Sequence, residues 1–292
     1  MKDVKITIGC VINKYYYNED ELKSYIKNIQ TYVGQVNTLY IYNKTSMDIS
    51  ELLEKFTQYP YVRVADVDNY SEIDIYREIA NRAKEDGSTY FTMLYQGYYY
   101  EDESFVSMKR YLLESDVEKI AVFTPMPLFG CDTFERKAEE YRYIKGCRLM
   151  GALVNTEIYF KTEGFDSSYY QTTYDYDYCL DVRHKGYLVM LSQNDVLRNL
   201  DYHVITKKIF FYAHTSMIEK DTMDVYYEAR GRRYLWDKYK YIDPDYVKLD
   251  KKLAKKEKRE IWAKDKNRKE KMQMYDKAFD DYRRGRKGIY KD

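Results

Sequence analysis

Apolar residues follow two different periods along the first 210 residues, and the two periods alternate. Residues 4–8 alternate apolar and polar side chains as a strand does, whereas the apolar residues from Leu22 to Val33 recur at helical spacing. The same succession returns further on, with strands predicted at 36–42, 61–67, 90–94 and 119–123 and helices at 52–56, 73–83 and 105–113. This alternation predicts an α/β fold in which helices cover both faces of a mostly parallel sheet.

In such a sheet, ligands bind beyond the carboxyl ends of the strands. Candidate chemistry is therefore expected after Ile8, Tyr42, Val67 and Leu94. No glycine-rich phosphate loop follows any of these positions in the sequence, so both the dinucleotide fingerprint and the Walker A loop are missing. The pattern disfavours Rossmann dehydrogenases and P-loop kinases. A capping-box spacing from Asp48 to Glu51 also predicts where the second helix begins.

Charge divides the chain into two parts. The whole sequence has 49 Lys and Arg against 48 Asp and Glu, but residues 248–292 hold 18 of these bases and only 9 of the acids. This segment is rich in Lys, Glu, Arg and Ala, which favour helices. Met272, Tyr275 and Phe279 recur at helical spacing within it. We therefore expect a domain at 1–215 and a helical, basic C-terminal extension at 216–292.

Two roles for the basic extension are equally compatible with its sequence. Lys and Arg side chains are attracted to an anionic membrane surface, each by roughly 1 kcal/mol. The alternative is a solvated helix pair that packs on its own domain or on a partner. A nucleic acid partner is disfavoured, because acids alternate with the bases and no recognised nucleic-acid motif surrounds them.

Other sequence features limit the location and the metal chemistry. No window approaches the roughly 18 apolar residues of a membrane-spanning helix, and the first ten residues read as a strand instead of a signal peptide. We expect a cytoplasmic protein, peripheral on the inner face of the cell membrane if the extension binds there. The four cysteines and three histidines show no metal-ligand spacing, so no metal residues are predicted from them.

One block of sequence, residues 150–187, resembles family 2 glycosyltransferases, particularly their rhamnosyltransferase-like branch. Members typically show a Ser-Gly-x-Leu-Ile-Asn strand, a Gly-Gly-Phe-Asp-Glu turn, an acidic pair, Cys-Leu-Arg and Lys-Lys-Gly-Tyr. The matching residues, in order, are Gly151, Leu153, Asn155, Gly164, Phe165, Asp166, Asp175, Asp177, Cys179, Leu180, Arg183, Lys185, Gly186 and Tyr187. Weaker similarity extends over roughly residues 4 to 240.

The resemblance implies a fold, a reaction and a set of site residues. The fold is GT-A, a Rossmann-like arrangement, and the reaction moves a sugar from a nucleotide-sugar donor to an acceptor hydroxyl with inversion. Such a reaction needs a carboxylate that takes the acceptor proton. Asp175 matches this base and Asp177 is the second carboxylate of the pair. The acceptor-binding residues that the block implies are Gly164, Phe165, Asp166 and Arg183.

The donor side departs from the family pattern. Members hold Mg or Mn with an Asp-x-Asp at the end of the fourth strand, where this chain has Tyr95, Gln96 and Gly97. A hard divalent cation prefers oxygen ligands, and neither Tyr95 nor Gly97 supplies a carboxylate. Tyr42 stands where members have the Asp that faces the nucleotide base. The donor-binding residues that we predict are Asn13, Tyr42, Tyr95, Gln96, Gly97 and Arg77.

Two hypotheses follow from this asymmetry. The first is an enzyme, an inverting glycosyltransferase of bacterial cell-surface polysaccharide synthesis that holds its donor without the usual metal, with Lys44, Arg77 or Arg82 balancing the phosphate charge. The second is a catalytically degenerate GT-A module that binds a glycan or a partner transferase in a glycan-assembly complex. The solvated face of a helix is the simpler explanation for Arg77 and Arg82.

Overall fold

The computed structural model describes residues 3–13, 19–45, 48–67, 70–115, 118–130, 132–201, 204–209 and 213–291. The chain forms two compact units. The first comprises residues 1–165 and 178–201, and the second comprises residues 166–177 and 202–292. The boundary that the sequence predicts after residue 215 lies within a strand of the second unit.

The first unit contains a sheet, and nine strands of it lie in the described residues. They are β1 (Ile6–Ile12), β2 (Thr38–Asn43), β3 (Val62–Asp66), β4 (Tyr90–Tyr95), β5 (Tyr98–Tyr100), β6 (Ile120–Phe129), β7 (Tyr141–Tyr143), β8 (Leu153–Asn155) and β9 (Leu188–Asn199). Their order across the sheet is β3-β2-β1-β4-β8-β6-β9-β5, and β7 pairs with β9 off this path.

Strand direction is parallel across the half of the sheet that the sequence pattern predicts. β1 pairs in parallel with β2 and with β4, and β2 pairs in parallel with β3. β8 is antiparallel to both of its neighbours, β4 and β6, whereas β6 and β9 are again parallel. β5 and β7 run antiparallel to β9. The prediction of an α/β fold with a mostly parallel sheet is confirmed.

Helices of the first unit follow the strands as the sequence predicts. They are α1 (Glu19–Tyr32), a 3-10 helix (Val33–Gln35), α2 (Ser50–Glu54), α3 (Glu72–Glu85), α4 (Ser104–Glu114), α5 (Thr156–Lys161) and α6 (Tyr174–His184), whose first residues, up to 177, belong to the second unit. All seven residues of β1 are buried, which is typical of a strand with helices on both faces.

Two local predictions need correction. β1 spans Ile6–Ile12, later than the predicted 4–8. Asp48 does not cap α2, because the N-cap residue is Ile49 and the Asp48 carboxylate accepts hydrogen bonds from Ser50. A true capping box starts α3 instead: Ser71 accepts from the Asp74 backbone N–H, and the Asp74 carboxylate accepts from that of Ser71.

The second unit is mainly helical. It contains the strand pair β10 (Val204–Ile209) and β11 (Ala213–Ile218) and the helices α7 (Thr222–Tyr239), α8 (Pro244–Lys264) and α9 (Arg268–Arg283). The predicted helical extension is confirmed by α8 and α9. Part of the predicted apolar stripe of α9 is used for packing, because Met272 and Tyr275 contact Val225 and Ile261.

Buried polar contacts join the helices of the second unit. Arg232 of α7 is ion-paired with Glu228 of the same helix and with Asp250 and Glu257 of α8. Burial alone would lower the pKa of Arg232. The three carboxylates around its guanidinium have the larger combined effect and raise this pKa. Removing one partner of such a buried set is costly, because it leaves another charge uncompensated.

No helix within the described residues is long and apolar enough to cross a membrane.

Gly9 lets α3 approach the middle of β1, and an alanine there should destabilise the fold. A Cβ at Gly9 would overlap the buried side chain of Ile79. Overpacking of this kind costs about 1–3 kcal/mol. We expect Gly9→Ala to lower the free energy of unfolding in urea by about 1–2 kcal/mol. Gly34→Ala is the matched control, since no atom lies within 4 Å of its added Cβ. Equal stability of the two variants would contradict this account of the packing.

Candidate functional site

The strands β1, β2 and β4 end side by side. In the two ladders Val11 of β1 is level with Tyr42 of β2 and with Tyr95 of β4. Asn13 follows β1 directly and is exposed. Three of the predicted donor-side positions therefore lie together at the carboxyl edge of the sheet, where ligands of α/β sheets bind.

Tyr42 is part of the core. Its side chain is fully buried between the sheet and α3, where it lies against Gly9 and tilts toward the ring of Tyr40. Its hydroxyl has no hydrogen-bond partner among the described residues, and burial raises the pKa of the phenol. A buried ring does not contact a nucleotide base unless its neighbours move, so the structure offers no open stacking surface at Tyr42.

Tyr95 ends β4 and forms a hydrogen bond with Glu72, in the first turn of α3. Burial is the main cause that raises the pKa of the Tyr95 phenol, and the negative charge of Glu72 adds to it. The phenol is therefore protonated at neutral pH and donates to the carboxylate. The carboxylate of Glu72, from α3, therefore lies beside Tyr95, which stands at the first position of the Asp-x-Asp motif.

Gly97 forms the turn between β4 and β5 with a φ of +97°. Its carbonyl accepts a hydrogen bond from the Leu200 backbone N–H at 3.0 Å. A Cβ at position 97 would overlap the carboxylate of Asp201, which follows β9. The backbone N–H of Asp201 is held by the side chain of Asn199 at 2.9 Å. The second Asp-x-Asp position is therefore also adjoined by a carboxylate from elsewhere in the chain.

Gln96 lies between these two positions, and the oxygen of its buried side chain lacks a hydrogen-bond partner among the described residues. Its backbone N–H donates to the Val11 carbonyl at 3.0 Å, which continues the β1–β4 ladder. The side chain is only 7% exposed, and its Oε1 has no hydrogen-bond partner in the described part of the chain. A buried acceptor without a partner costs roughly 1–3 kcal/mol unless a ligand or water satisfies it.

The cations considered for phosphate binding fall in different places. Lys44 follows β2, and its Nζ donates to the Tyr70 carbonyl at 2.9 Å at the carboxyl edge. Burial lowers the pKa of Lys44, while Glu72 and Asp74 act in the opposite direction. Arg77 is exposed and bonds to the hydroxyl of Tyr159 in α5.

Arg82 lies further along α3. It pairs with Glu78 at 2.8 Å and with Glu85 at 3.6 Å, and its guanidinium lies over the Tyr40 ring. Of the three cations, Lys44 is the one with a hydrogen bond to the loop at the carboxyl edge.

Gly164 and Phe165 have packing contacts in the first unit. Gly164 has a φ of +64°, and a Cβ there would meet the ring of Tyr159. Phe165 is buried and packs edge-to-face against Tyr76, Tyr159 and Tyr178. These packing contacts are sufficient to account for a Gly-Phe pair at this turn, and none of them involves a glycan acceptor.

The other two acceptor-side residues are more accessible. Asp166 is exposed, and its carboxylate accepts from the Ser168 backbone N–H at 2.8 Å. Arg183 is half-buried in the last turn of α6. Their acceptor-binding role stays a prediction.

Asp175 and Asp177 both lie in the first turn of α6, and each is 3% exposed. The Asp175 carboxylate accepts from the Tyr176 backbone N–H at 2.8 Å and lies near the phenol of Tyr246. Residues two apart on a helix point in different directions, as the sequence predicts for this pair. Their catalytic roles stay predictions as well.

Asp177 is held by groups of the second unit. Lys238 Nζ lies 2.8 Å from each carboxylate oxygen, and Tyr169 also bonds to this carboxylate. Tyr239 donates its hydroxyl to the Asp177 backbone carbonyl at 3.0 Å. Burial raises the pKa of Asp177, and Lys238 opposes this shift. The ion pair with α7 gives Asp177 a structural role.

Tyr95 and Gly97 do not supply the metal carboxylates that the resemblance implies, and the two acids beside them, Glu72 and Asp201, come from other elements. Tyr95 offers a protonated phenol, and Gly97 offers no side chain. The described residues contain no group of three or more His, Cys, Asp or Glu side chains placed to hold a metal ion. Sequence analysis did not find Glu72 and Asp201, because the spacing of an Asp-x-Asp motif gives no information about carboxylates contributed by other elements.

No protein-family model and no curated protein matches the sequence. Among solved structures, the chain is similar to the crystal structure of GalNAc-T7 with UDP, GalNAc and Mn2+, with a TM-score of 0.56 and 9% sequence identity. The match covers 81% of this chain and 49% of that one, so the chain spans about half the length of the structure it matches. At this identity the likeness shows the fold alone, and the predicted GT-A fold is confirmed.

Replacing Lys238 should reveal the ion pair with Asp177 through its pH dependence. In Lys238→Met the buried carboxylate loses its cation, so its folded pKa rises further above the unfolded value of about 3.9. The cost is fully present above the folded pKa and disappears as pH falls below the unfolded pKa. Because Lys238 is 39% exposed, we expect a loss of about 2 kcal/mol at pH 7, below the range for fully buried pairs.

The measurement is urea unfolding between pH 3.5 and pH 8. Lys240→Met is the matched control: Lys240 has an exposed contact of 3.5 Å with Asp237 and lies over the ring of the next residue, as Lys238 does, so its loss should change stability little. Asp177→Asn in the Lys238→Met background should recover most of the lost stability. A Lys238→Met penalty of the same size at every pH would show that the ion pair does not carry it.

Proposed function

We propose that the chain is a glycosyltransferase that moves a sugar from a nucleotide-sugar donor to a hydroxyl group of a glycan. The observation that carries the proposal is the combination of a GT-A fold with a carboxylate pair in the first turn of α6. The fold alone is compatible with several activities. The acidic block from Asp166 to Asp177, which resembles family 2 transferases, narrows the choice to sugar transfer.

In this proposal Asp175 is the general base. The acceptor hydroxyl attacks the anomeric carbon of the donor sugar, and its proton passes to the Asp175 carboxylate. The bond from the anomeric carbon to the diphosphate oxygen breaks at the same time, and the nucleoside diphosphate leaves with the bonding electrons. Attack opposite the leaving group inverts the configuration. Asp175 is chosen over Asp177 because it is the residue that matches the base of the family.

The donor would bind at the carboxyl edge of β1, β2 and β4. Lys44 supplies positive charge there, and the N-terminus of α3 adds a partial positive charge. The Oε1 of Gln96, which has no hydrogen-bond partner among the described residues, would accept a hydrogen bond from a donor hydroxyl or from the nucleotide base. Asn13 adds an exposed amide. We infer that the diphosphate is held without the metal of the family, because the Asp-x-Asp carboxylates are replaced by Tyr95 and Gly97.

The finer assignment rests on the sequence resemblance. On that basis we propose a family 2 transferase of the rhamnosyltransferase-like branch, with a role in bacterial cell-surface polysaccharide synthesis and a deoxyhexose such as rhamnose as one candidate sugar. The neighbouring structure was crystallised with UDP, GalNAc and Mn2+, so UDP and Mn2+ are suitable first probes.

The alternative is a degenerate GT-A module that binds a glycan or a partner transferase. The specific observation in its favour is the burial of Tyr42 at the position that faces the base in family members. This alternative predicts that no nucleotide binds even at millimolar concentration.

Calorimetric titration with a panel of nucleoside diphosphates and nucleotide-sugars, with Mn2+ or with a chelator, tests the donor site. We expect one nucleotide to bind with a Kd below about 1 mM. Its affinity should change less than about threefold when the metal is removed, since the carboxyl edge lacks the metal motif. Absence of binding by every nucleotide would favour the degenerate module. Binding that requires Mn2+ would contradict the metal-independent version.

An Asp175→Asn variant tests the base. With the best donor, release of nucleoside diphosphate should fall by roughly 10²-fold or more, while donor affinity stays within about twofold, because the base acts on the acceptor or on water. Asp276→Asn is the control substitution, since this carboxylate is exposed and is not one of the predicted site residues. Turnover that survives in Asp175→Asn would assign the base to another residue.

A further inference from the structure

Helix α8 exposes a face that is almost entirely basic. The helix contains eight Lys and Arg residues and four acids. Two of the acids face inward or toward α7: Asp250 is buried, and Glu257 pairs with Arg232. A third, Glu260, lies near Lys264 at 3.5 Å. Only Asp245, at the start of the helix, is an exposed acid. The bases therefore dominate the solvent side.

Five of these basic side chains have no neighbour among the described residues that would balance their charge. Each is exposed, and none has an ion pair or hydrogen bond within the described residues: Lys248, Lys252, Lys255, Lys256 and Arg259. By contrast, Lys251 lies over the ring of Trp236, and Lys258 approaches Asp276 at 3.9 Å. The unpaired five, which we call the α8 basic row, recur three, four and seven residues apart and so share one side of the helix.

An apolar stripe runs beside the basic row. Leu249 is 53% exposed and Leu253 is 45% exposed, and they are one helical turn apart. Ile242, which precedes the helix, is 53% exposed and stands seven residues before Leu249. The two leucines lie between the basic row and the side of α8 that packs against α7 and α9. They adjoin the row of bases, and the exposed acid of the helix, Asp245, lies one turn before Leu249.

We propose that this face of α8 binds the surface of an anionic phospholipid membrane. Lys and Arg side chains are attracted to anionic headgroups, and their aliphatic stems lie along apolar surface while the charged ends stay at the headgroups. Leu249 and Leu253 would enter the boundary between headgroups and acyl chains, as the apolar side of an interfacial helix does. The proposal is independent of the sugar-transfer activity.

A nucleic acid is the other polyanion that would attract these bases. Phosphate backbones require charge alone, and exposed leucines beside the bases add nothing to such binding. The combination of unpaired bases with an adjoining apolar stripe therefore favours lipid over nucleic acid. A membrane partner also predicts that part of the affinity survives high salt, because apolar insertion is not screened.

Vesicle co-sedimentation of the full chain tests the proposal. The probes are phosphatidylcholine vesicles and vesicles in which roughly a third of the lipid is phosphatidylglycerol. We expect binding to the second kind only. The triple variant Lys252→Gln/Lys256→Gln/Arg259→Gln should bind about 100-fold more weakly, since each base near an anionic surface accounts for roughly a fivefold change. Glutamine preserves helix propensity.

Three further variants separate the effect of the charges from that of the apolar stripe. Lys27→Gln/Lys55→Gln/Arg110→Gln changes the net charge by the same amount on exposed residues of the first unit and should bind like the unmodified chain. Leu249→Gln/Leu253→Gln should remove the salt-resistant part of the binding, whereas Leu113→Gln, at another partly exposed leucine, should not.

Several results would overturn the proposal. They are failure to bind the anionic vesicles, equal binding by the α8 and control triple variants, and equal binding to both kinds of vesicle. Tighter binding to a duplex oligonucleotide that displaces the vesicles would assign the basic row to nucleic acid instead. Circular dichroism of each variant verifies that loss of binding is not loss of folding. Nucleotide affinity, measured on the same preparations, should be unchanged in every variant, so the outcome is distinct from that of the donor titration.

Discussion

The parallel pairing of β1 with both β2 and β4 is the constraint on which the candidate site depends. Because the three strands run in the same direction and in register, Val11, Tyr42 and Tyr95 are level, and the residues that follow them meet at one edge. The strands stay in this register because β1 is buried on both faces and cannot slip by one residue without exchanging its two apolar surfaces. Gly9 has no side chain, so Ile79 of α3 can pack directly against β1.

Most of the fold could be predicted from periodicity. The helices α1 and α3 and the strands β2, β3 and β4 lie within a few residues of their predicted positions, because each combines an apolar face with polar flanks. The antiparallel insertion of β8 between β4 and β6 could not be predicted in this way. Its three residues are all buried, so they show no alternation. The capping box of α3 could not be predicted either. The spacing of Ser71 and Asp74 identifies such a box only when the first residue of the helix is already known.

The candidate site was harder to predict than the fold. Sequence positions 42, 95 and 97 were correctly assigned to strand ends, but the environment of each is set by residues distant in sequence. Glu72 reaches Tyr95 from α3, and Asp201 reaches Gly97 from the end of β9. No pattern around residues 95–97 encodes these partners. The same holds for Asp177, whose neighbour Lys238 lies 61 residues further along the chain.

The arrangement at Gly97 restricts how this edge of the sheet can change over evolutionary time. An aspartate at position 97 would adopt a backbone conformation that costs an L-residue of order 1–3 kcal/mol, and its side chain would point at the carboxylate of Asp201. Two like charges at such a separation repel each other. An aspartate at position 97 therefore requires the Asp201 carboxylate to move or the acid at position 201 to be replaced. The positive φ and the neighbouring carboxylate together favour glycine at position 97 over any residue with a side chain.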